Sequence, residues 1–298
     1  MNFKKPLSSD KQIDHLIENK KVIINSISRE AAELYLRGFN YINLITPFKH
    51  NYSVKDLNNQ PLKISKNNRD VHVYNEETDL TCYLQSFKEE REQYAQIMDG
   101  LHKFEITFKS LVTHYLLITF NIDSTQKAVT TFRKFQSQLD HLKIIDYQHE
   151  ESELKERKTH MSRNYNKIIS EFKGEAKNPP YWEGKKVSNI YVYFDRLSLK
   201  SVINIFYSLS KNVQNKIYAD LKKMECNLET QSLNKFKIRV FNIYPIRNTI
   251  MHCNSLEILY RYKTPGSNEL RSEENKQQYI NTVRALKKLS EKELFNLT

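Results

Sequence analysis

Apolar residues recur in three- and four-residue steps most clearly from Ile97 through Leu101, Phe104, Phe108 and Leu111 to Tyr115. That pattern predicts a long helix beginning near Gln93, with one buried face. Glu105 lies beside the stripe, so it is either a rim charge or a buried carboxylate with a partner; the rim is the commoner case. Upstream, Ser9 and Gln12 form a candidate capping box ahead of Ile13, Leu16 and Ile17, which predicts a short helix. A second helix is expected from Ser28 to Arg37, with Ala31, Leu34 and Tyr35 as its apolar face and Gly38 as its stop. Residues 49–82 are polar and Asn-rich without sustained periodicity, and read as a long loop or insertion with a short strand at Val71–Tyr74.

Beyond the long helix, Asp123 or Ser124 is expected to cap another that runs to about Leu142. The charged stretch 150–173 fits a solvated helix face. Asn178-Pro-Pro-Tyr-Trp182 is a break, followed by helices at about 197–210, 212–222 and 231–242. Pro245 suits the first turn of a helix reaching about Tyr262, before Pro265-Gly266, and a last helix is expected over Glu273–Ser290. The fold class is all-α: a helical bundle with an N-terminal helical extension and a polar loop insertion. The expected domains are 1–92, a helical region with the insertion, and 93–298, a helical domain.

Composition adds three constraints. Only 5 Gly and 7 Pro interrupt 298 residues, which favours long helices. Cys82, Cys226 and Cys253 are odd in number and scattered, so neither a disulfide framework nor a zinc site is expected. No apolar run follows Met1-Asn-Phe-Lys-Lys-Pro6 and no stretch is long enough to span a bilayer, so the chain reads as soluble and cytoplasmic, with no membrane partner. The net charge of +12 raises the local concentration of polyanions without choosing one, and 18 Tyr offer stacking surfaces for unpaired bases.

The candidate chemistry lies in Tyr244-Pro-Ile-Arg-Asn-Thr-Ile-Met-His-Cys-Asn-Ser-Leu256. Arg247 supplies permanent positive charge and His252 titrates near neutrality, the two groups required to cleave RNA without a metal. On a straight helix Ile246, Ile250 and Cys253 form the buried stripe, while Asn248, His252 and Ser255 lie opposite. Arg247 then stands about 140° from His252, too far round for both to grip one phosphate. A second copy brought in by a two-fold axis would complete such a site, so a homodimer is expected. With nine His in the chain, the Arg–His spacing by itself is weak evidence. No Gly-rich phosphate loop, paired metal-ligand motif or Ser/His/Asp arrangement is present, so no metal or other cofactor is expected.

The motifs also follow a familiar order. Lys5-Pro-Leu-Ser-Ser-Asp-Lys-Gln-Ile13 and the segment Ala31 to Tyr41 come first, then Phe104-Glu105-Ile106 with Lys109. Pro179-Pro-Tyr-Trp182 with Leu197-Ser198-Leu199 comes next, and Ile246-Arg-Asn-Thr-Ile-Met-His252 last. In that order they resemble the Abi-like (AbiD/AbiF-type) abortive-infection proteins, and the last motif resembles the Arg-Asn-x-x-x-His of the wider HEPN superfamily. The family's Tyr-Tyr-Arg segment reads Tyr41-Ile-Asn-Leu here. The resemblance implies a HEPN-like helical bundle, usually dimeric, acting as a metal-independent endoribonuclease toxin in phage defence. It implies Arg247 and His252 as catalytic residues, with Asn248 orienting the histidine or contacting RNA. It also implies a small structured RNA that restrains or arms the toxin. The alternative is a HEPN protein that holds such an RNA as a ribonucleoprotein and does not cut it; a purely structural dimerisation domain fits the charge least.

Overall fold

The computed structural model describes residues 7–57, 62–66, 69–74, 78–142, 151–174, 190–262 and 270–293. Ser8 is the N-cap of helix α1 (Ser9–Lys20), so Ser9 is its first helical residue, not its cap. Gln12 reaches back to the carbonyl of Leu7, and the expected capping box is not formed. After strand β1 (Val22–Ile23), Ser28 caps α2 (Arg29–Phe39) by accepting from the amide of Ala31. This helix runs past Gly38 and stops at Asn40, whose φ of 64° is the left-handed conformation that Asn tolerates. Its buried face is Ala32 and Leu36, whereas Leu34 and Tyr35 are exposed. Helix α3 (Tyr41–Leu44) follows.

The polar stretch expected as a loop carries more structure than its composition suggests. Strands β2 (Lys63–Lys66) and β3 (Arg69–His72) form an antiparallel hairpin, with Lys63 opposite His72. Strand β4 (Thr78–Asp79) pairs in parallel with β1 and leads straight into α4 (Leu80–Phe120), a helix of 41 residues. Burial would raise the Asp79 carboxyl, but hydrogen bonds from Thr81, Asn25 and Ser26 outweigh it and hold the group at about 2. Asp79 thus ties the strand pair to the start of α4.

Helix α4 begins thirteen residues before the expected Gln93. The predicted stripe is buried at Ile97, Leu101, Phe104 and Phe108, and the same three–four stepping extends back through Tyr94, Glu90, half-buried Phe87, Tyr83 and Leu80. The early part was hidden because one position of that stripe is a carboxylate. Ser124 caps α5 (Thr125–Ser137) through the amide of Lys127, and a 3₁₀ turn over Leu139–His141 follows.

Helix α6 (Glu151–Phe172) is charged as expected, yet Met161, Tyr165, Ile168 and Phe172 make a buried face on it. Next come α7 (Ile190–Asp195), α8 (Leu199–Ser208) and α9 (Lys211–Lys223). Helix α10 (Leu233–Met251) contains Pro245 in its interior, so the two expected helices are one. Pro245 has no N–H to give the carbonyl of Phe241, but buried Ile243, Ile246 and Ile250 hold the helix through that point. Helix α11 (Leu256–Arg261) is short, and α12 (Glu273–Ser290) has the expected bounds. Lys5-Pro6, the Pro179-Pro-Tyr-Trp182 break and Pro265-Gly266 lie outside the described residues.

The all-α expectation is met: helices carry the fold, and the strands are four short segments among the described residues. Two compact units are present. Met1–Ala95 with Asn248–Ser272 form one, and Gln96–Arg247 with Glu273–Thr298 form the other, so the division falls inside α4 and inside α10. The first unit has a core of Ile13, Leu16, Val22, Leu36, Leu44, Ile45, Phe48, Leu80 and Tyr83. In the second, Phe108 meets Phe206 edge-on with ring centres 5.3 Å apart, and Phe132 packs near Tyr165 and Phe194. There Gly100 of α4 lets the backbone of α12 come so close that a Cβ would stand 1.9 Å from the carbonyl oxygen of Leu286.

Candidate functional site

Arg247 lies on the last turns of α10, with about a third of its side chain exposed. Its Nε stands 3.7 Å from Oε2 of Glu105 on α4, itself about a fifth exposed. Glu105 is therefore neither a bare rim charge nor fully buried; it is a half-buried carboxylate with a partner. Asn248, one residue on, is half-buried, and its backbone carbonyl accepts from the amide of His252 at 3.0 Å.

The helix ends at Met251, so His252 is its C-cap residue and not the middle of a helix reaching Tyr262. The cause is local. Cys253 adopts φ 53°, its amide donates to the carbonyl of Ile250 at 3.0 Å, and Asn254 donates to Thr249 at 2.8 Å. That bond pair with a left-handed residue is a Schellman cap, usually built on Gly. A cysteine in that place concealed the stop. The straight-helix geometry consequently fails after Met251: Cys253 is exposed instead of buried, and Ser255 is buried instead of facing outward. His252 remains exposed.

Three side chains of α4 hold the turn that follows His252. Arg91 donates from Nη2 to the carbonyl of Cys253 at 2.7 Å, and its guanidinium stacks 4.8 Å from the rings of both Phe87 and Tyr94. The Tyr94 hydroxyl donates to the carbonyl of Asn254 at 2.6 Å. Glu90 accepts at Oε1 from the hydroxyl of Ser255 at 2.7 Å and from the amide of Glu257 at 3.2 Å. Ser255 is also the N-cap of α11. Burial pushes the Glu90 carboxyl above the usual range, although these hydrogen bonds oppose it. Sequence reasoning missed all three; the available signal was a carboxylate standing in register with an apolar stripe.

A second polar cluster joins the former insertion to the segment after α11. His50 and Tyr262 share a hydrogen bond of 2.8 Å between Nε2 and the hydroxyl, and His72 meets His50 edge-on at 5.1 Å. Burial, then Arg261 and Lys49, push His50 down to about 3; burial, then Lys49 and Lys63, push His72 down to about 4. Both rings are neutral at pH 7 and surrounded by cations.

Among the described residues no group of three or more His, Cys, Asp or Glu is arranged to hold a metal ion. No helix of the described residues is long and apolar enough to cross a membrane. Comparison with curated proteins and with solved structures gives no match. The family model of the Abi-like proteins matches residues 34–256, a span that takes in Glu90, Arg91, Tyr94, Glu105, Arg247, Asn248 and His252. That match covers well over half of the chain, which belongs to the Abi-like protein family.

Proposed function

We propose that the protein is an endoribonuclease of HEPN type, the effector of a bacterial abortive-infection system, with Arg247 and His252 as its catalytic residues. The RNA's own 2′-hydroxyl attacks the adjacent phosphate, the phosphorane forms, and the 5′-oxygen leaves. His252 takes the hydroxyl proton or supplies one to the leaving oxygen, and Arg247 stabilises the charge gathering on the phosphorane. The products carry a 2′,3′-cyclic phosphate and a 5′-hydroxyl. Asn248 orients the imidazole or contacts the RNA, and a second copy of the chain completes the site as a homodimer.

The observation that carries this reading is the situation of His252. It is solvent-exposed at the end of α10, five residues after Arg247, and the turn behind it is fixed by Glu90, Arg91 and Tyr94. A proton-transfer group gains most when its backbone is held before substrate arrives. The charge of +12 supports an RNA substrate, and membership of the Abi-like family supports the defence role.

The test is cleavage of total and structured RNA by the purified protein in EDTA, with Arg247→Ala and His252→Ala beside it. Loss of about a hundredfold or more in each variant, with cyclic phosphate ends in the wild type, is the expected result. Undiminished cleavage by both variants would sink the assignment. A discrete RNA that co-purifies while no substrate is cut would instead make this a non-cleaving RNA-binding protein, the RNA forming a stable ribonucleoprotein with it.

A further inference from the structure

Helix α2 carries a second apolar face that the core does not use. Ala32 and Leu36 are buried, but Leu34 is 64% exposed, Tyr35 39% and Phe39 43%. On a helical wheel, Ala31, Leu34, Tyr35, Gly38 and Phe39 share an arc of about 140°, and no charged residue of the helix falls within it. Ile42, on the short helix α3 that follows, is 61% exposed. A Cβ on Gly38 would meet nothing within 4 Å, so the arc is open at its centre. Glu30, Glu33 and Arg37 lie together on a separate flank, where Glu33 pairs with Arg29 at 3.7 Å.

The arc is joined to the turn that carries His252. Tyr35 stacks on Phe39 with ring centres 6.1 Å apart, and Phe39 meets Phe87 at 5.0 Å. Phe87 in turn lies under the Arg91 guanidinium, which donates to the carbonyl of Cys253. Met251, the residue before His252, is itself exposed. All of these residues belong to the same compact unit. The chemistry of the arc selects among occupants. An RNA strand brings a phosphate with every nucleotide, and the arc itself offers no cation to meet it. An interfacial membrane helix carries Lys and Arg along its polar face, whereas two of the three flanking charges here are glutamates. An uncharged surface with aromatic rings matches the core of a homodimer interface.

We propose that this face is the contact between two copies of the chain, the two α2 helices packing on one another about a two-fold axis. The choice of partner rests on the reading above, in which a second copy completes the site of Arg247 and His252. A two-fold contact sets a patch against itself, so the patch must be self-complementary. An apolar arc satisfies that condition, and an arc of one charge repels its copy. Ala31 and Gly38, about two turns apart, let the second helix approach closely between the larger side chains. Because Phe39 leans on Phe87, and Phe87 on Arg91, pairing of the arcs also buttresses the clamp on the His252 turn. Assembly is thereby coupled to the support of the proposed catalytic histidine.

The experiment measures association of the full chain by analytical ultracentrifugation over roughly 0.1–50 µM. The wild type is expected to be a dimer. Leu34→Lys/Ile42→Lys and Leu34→Glu/Ile42→Glu each set like charges against themselves and should weaken association about 100-fold or more. Their thermal unfolding should match the wild type at equal monomer content, because both side chains are exposed. An equimolar mixture of the two sets a positive arc against a negative one and should recover association to within about tenfold of the wild type. Should a charged pair fail to fold, Leu34→Ala/Ile42→Ala reads the same surface and should weaken association about tenfold. A wild type that stays monomeric overturns the proposal, as do folded variants that dimerise as tightly as the wild type. A mixture no tighter than its components overturns the two-fold pairing of the arcs. RNA cleavage, followed in the same samples, should fall in each charged variant and return on mixing. If no sample cuts RNA while association follows this pattern, the interface stands and the nuclease reading falls.

Discussion

Arg247 and Glu105 face one another across 3.7 Å, Nε to Oε2, with both side chains partly open to water. That separation is too long for a tight charge-assisted hydrogen bond, which lies near 2.7–2.9 Å. Glu105 offsets part of the guanidinium's charge, and in the proposed reaction that charge is what meets the phosphate. Removing the negative charge should therefore strengthen anion binding while costing little stability.

Glu105→Gln is expected to lower stability by less than about 1 kcal/mol, because partly exposed pairs contribute that little. Its affinity for RNA should rise about two- to fivefold at low salt and converge on the wild type as salt screens the difference. Fluorescence anisotropy with a labelled RNA over a salt series measures this. Weaker binding by the variant at every salt concentration would contradict it.

The clamp on the turn after His252 predicts a separable effect. Glu90→Ala leaves the Ser255 hydroxyl without its buried acceptor and the Glu257 amide with the Ser255 hydroxyl oxygen alone, which should cost about 1–3 kcal/mol in urea unfolding. Because the same turn carries His252, cleavage per folded molecule should also fall. Under conditions where the variant is fully folded, wild-type turnover would show that the clamp does not position the histidine.

The cap itself can be improved. Cys253 occupies a left-handed conformation at φ 53° that costs a residue with a Cβ about 1 kcal/mol. Cys253→Gly should therefore raise stability by about 0.5–1 kcal/mol and leave the hydrogen bond from Arg91 to this residue's carbonyl intact. A lower urea midpoint in the variant would contradict that account.

The two neutral histidines contribute to the pH dependence of the first unit. Both folded-state pKa values, about 3 for His50 and about 4 for His72, lie below the ordinary 6.5. Below pH 6.5 the unfolded chain takes up protons that the folded chain refuses. Their contribution is thus fully present above about pH 6.5 and lost as pH falls toward about 4 for His72 and about 3 for His50. The slope should be up to about 1.4 kcal/mol per pH unit for His50, and less for the partly exposed His72. Urea midpoints from pH 7 to pH 5 should fall in the wild type and stay flatter in His50→Asn/His72→Asn. An equal slope in the two proteins would show that other groups govern it.

What the sequence by itself determined was the helical class, the buried face of α4 from Ile97 to Phe108, and the bounds of α12, Glu273–Ser290. These rest on periodicity and local signals within a few turns, so neighbouring residues suffice. The Arg–Asn–His motif was legible for the same reason, as a set of residue types at short spacing. Its surroundings were not. That Arg247 is partnered by Glu105, and that the turn after His252 is held by Glu90, Arg91 and Tyr94, depends on pairs more than a hundred residues apart in the chain. The stop at Met251 depends on a cysteine adopting a conformation usually reserved for glycine, and α10 continuing through Pro245 depends on the burial of Ile243, Ile246 and Ile250. Tertiary packing decided those points, because burial and long-range hydrogen bonds can outweigh the roughly 1–3 kcal/mol by which a single residue prefers or resists a helix.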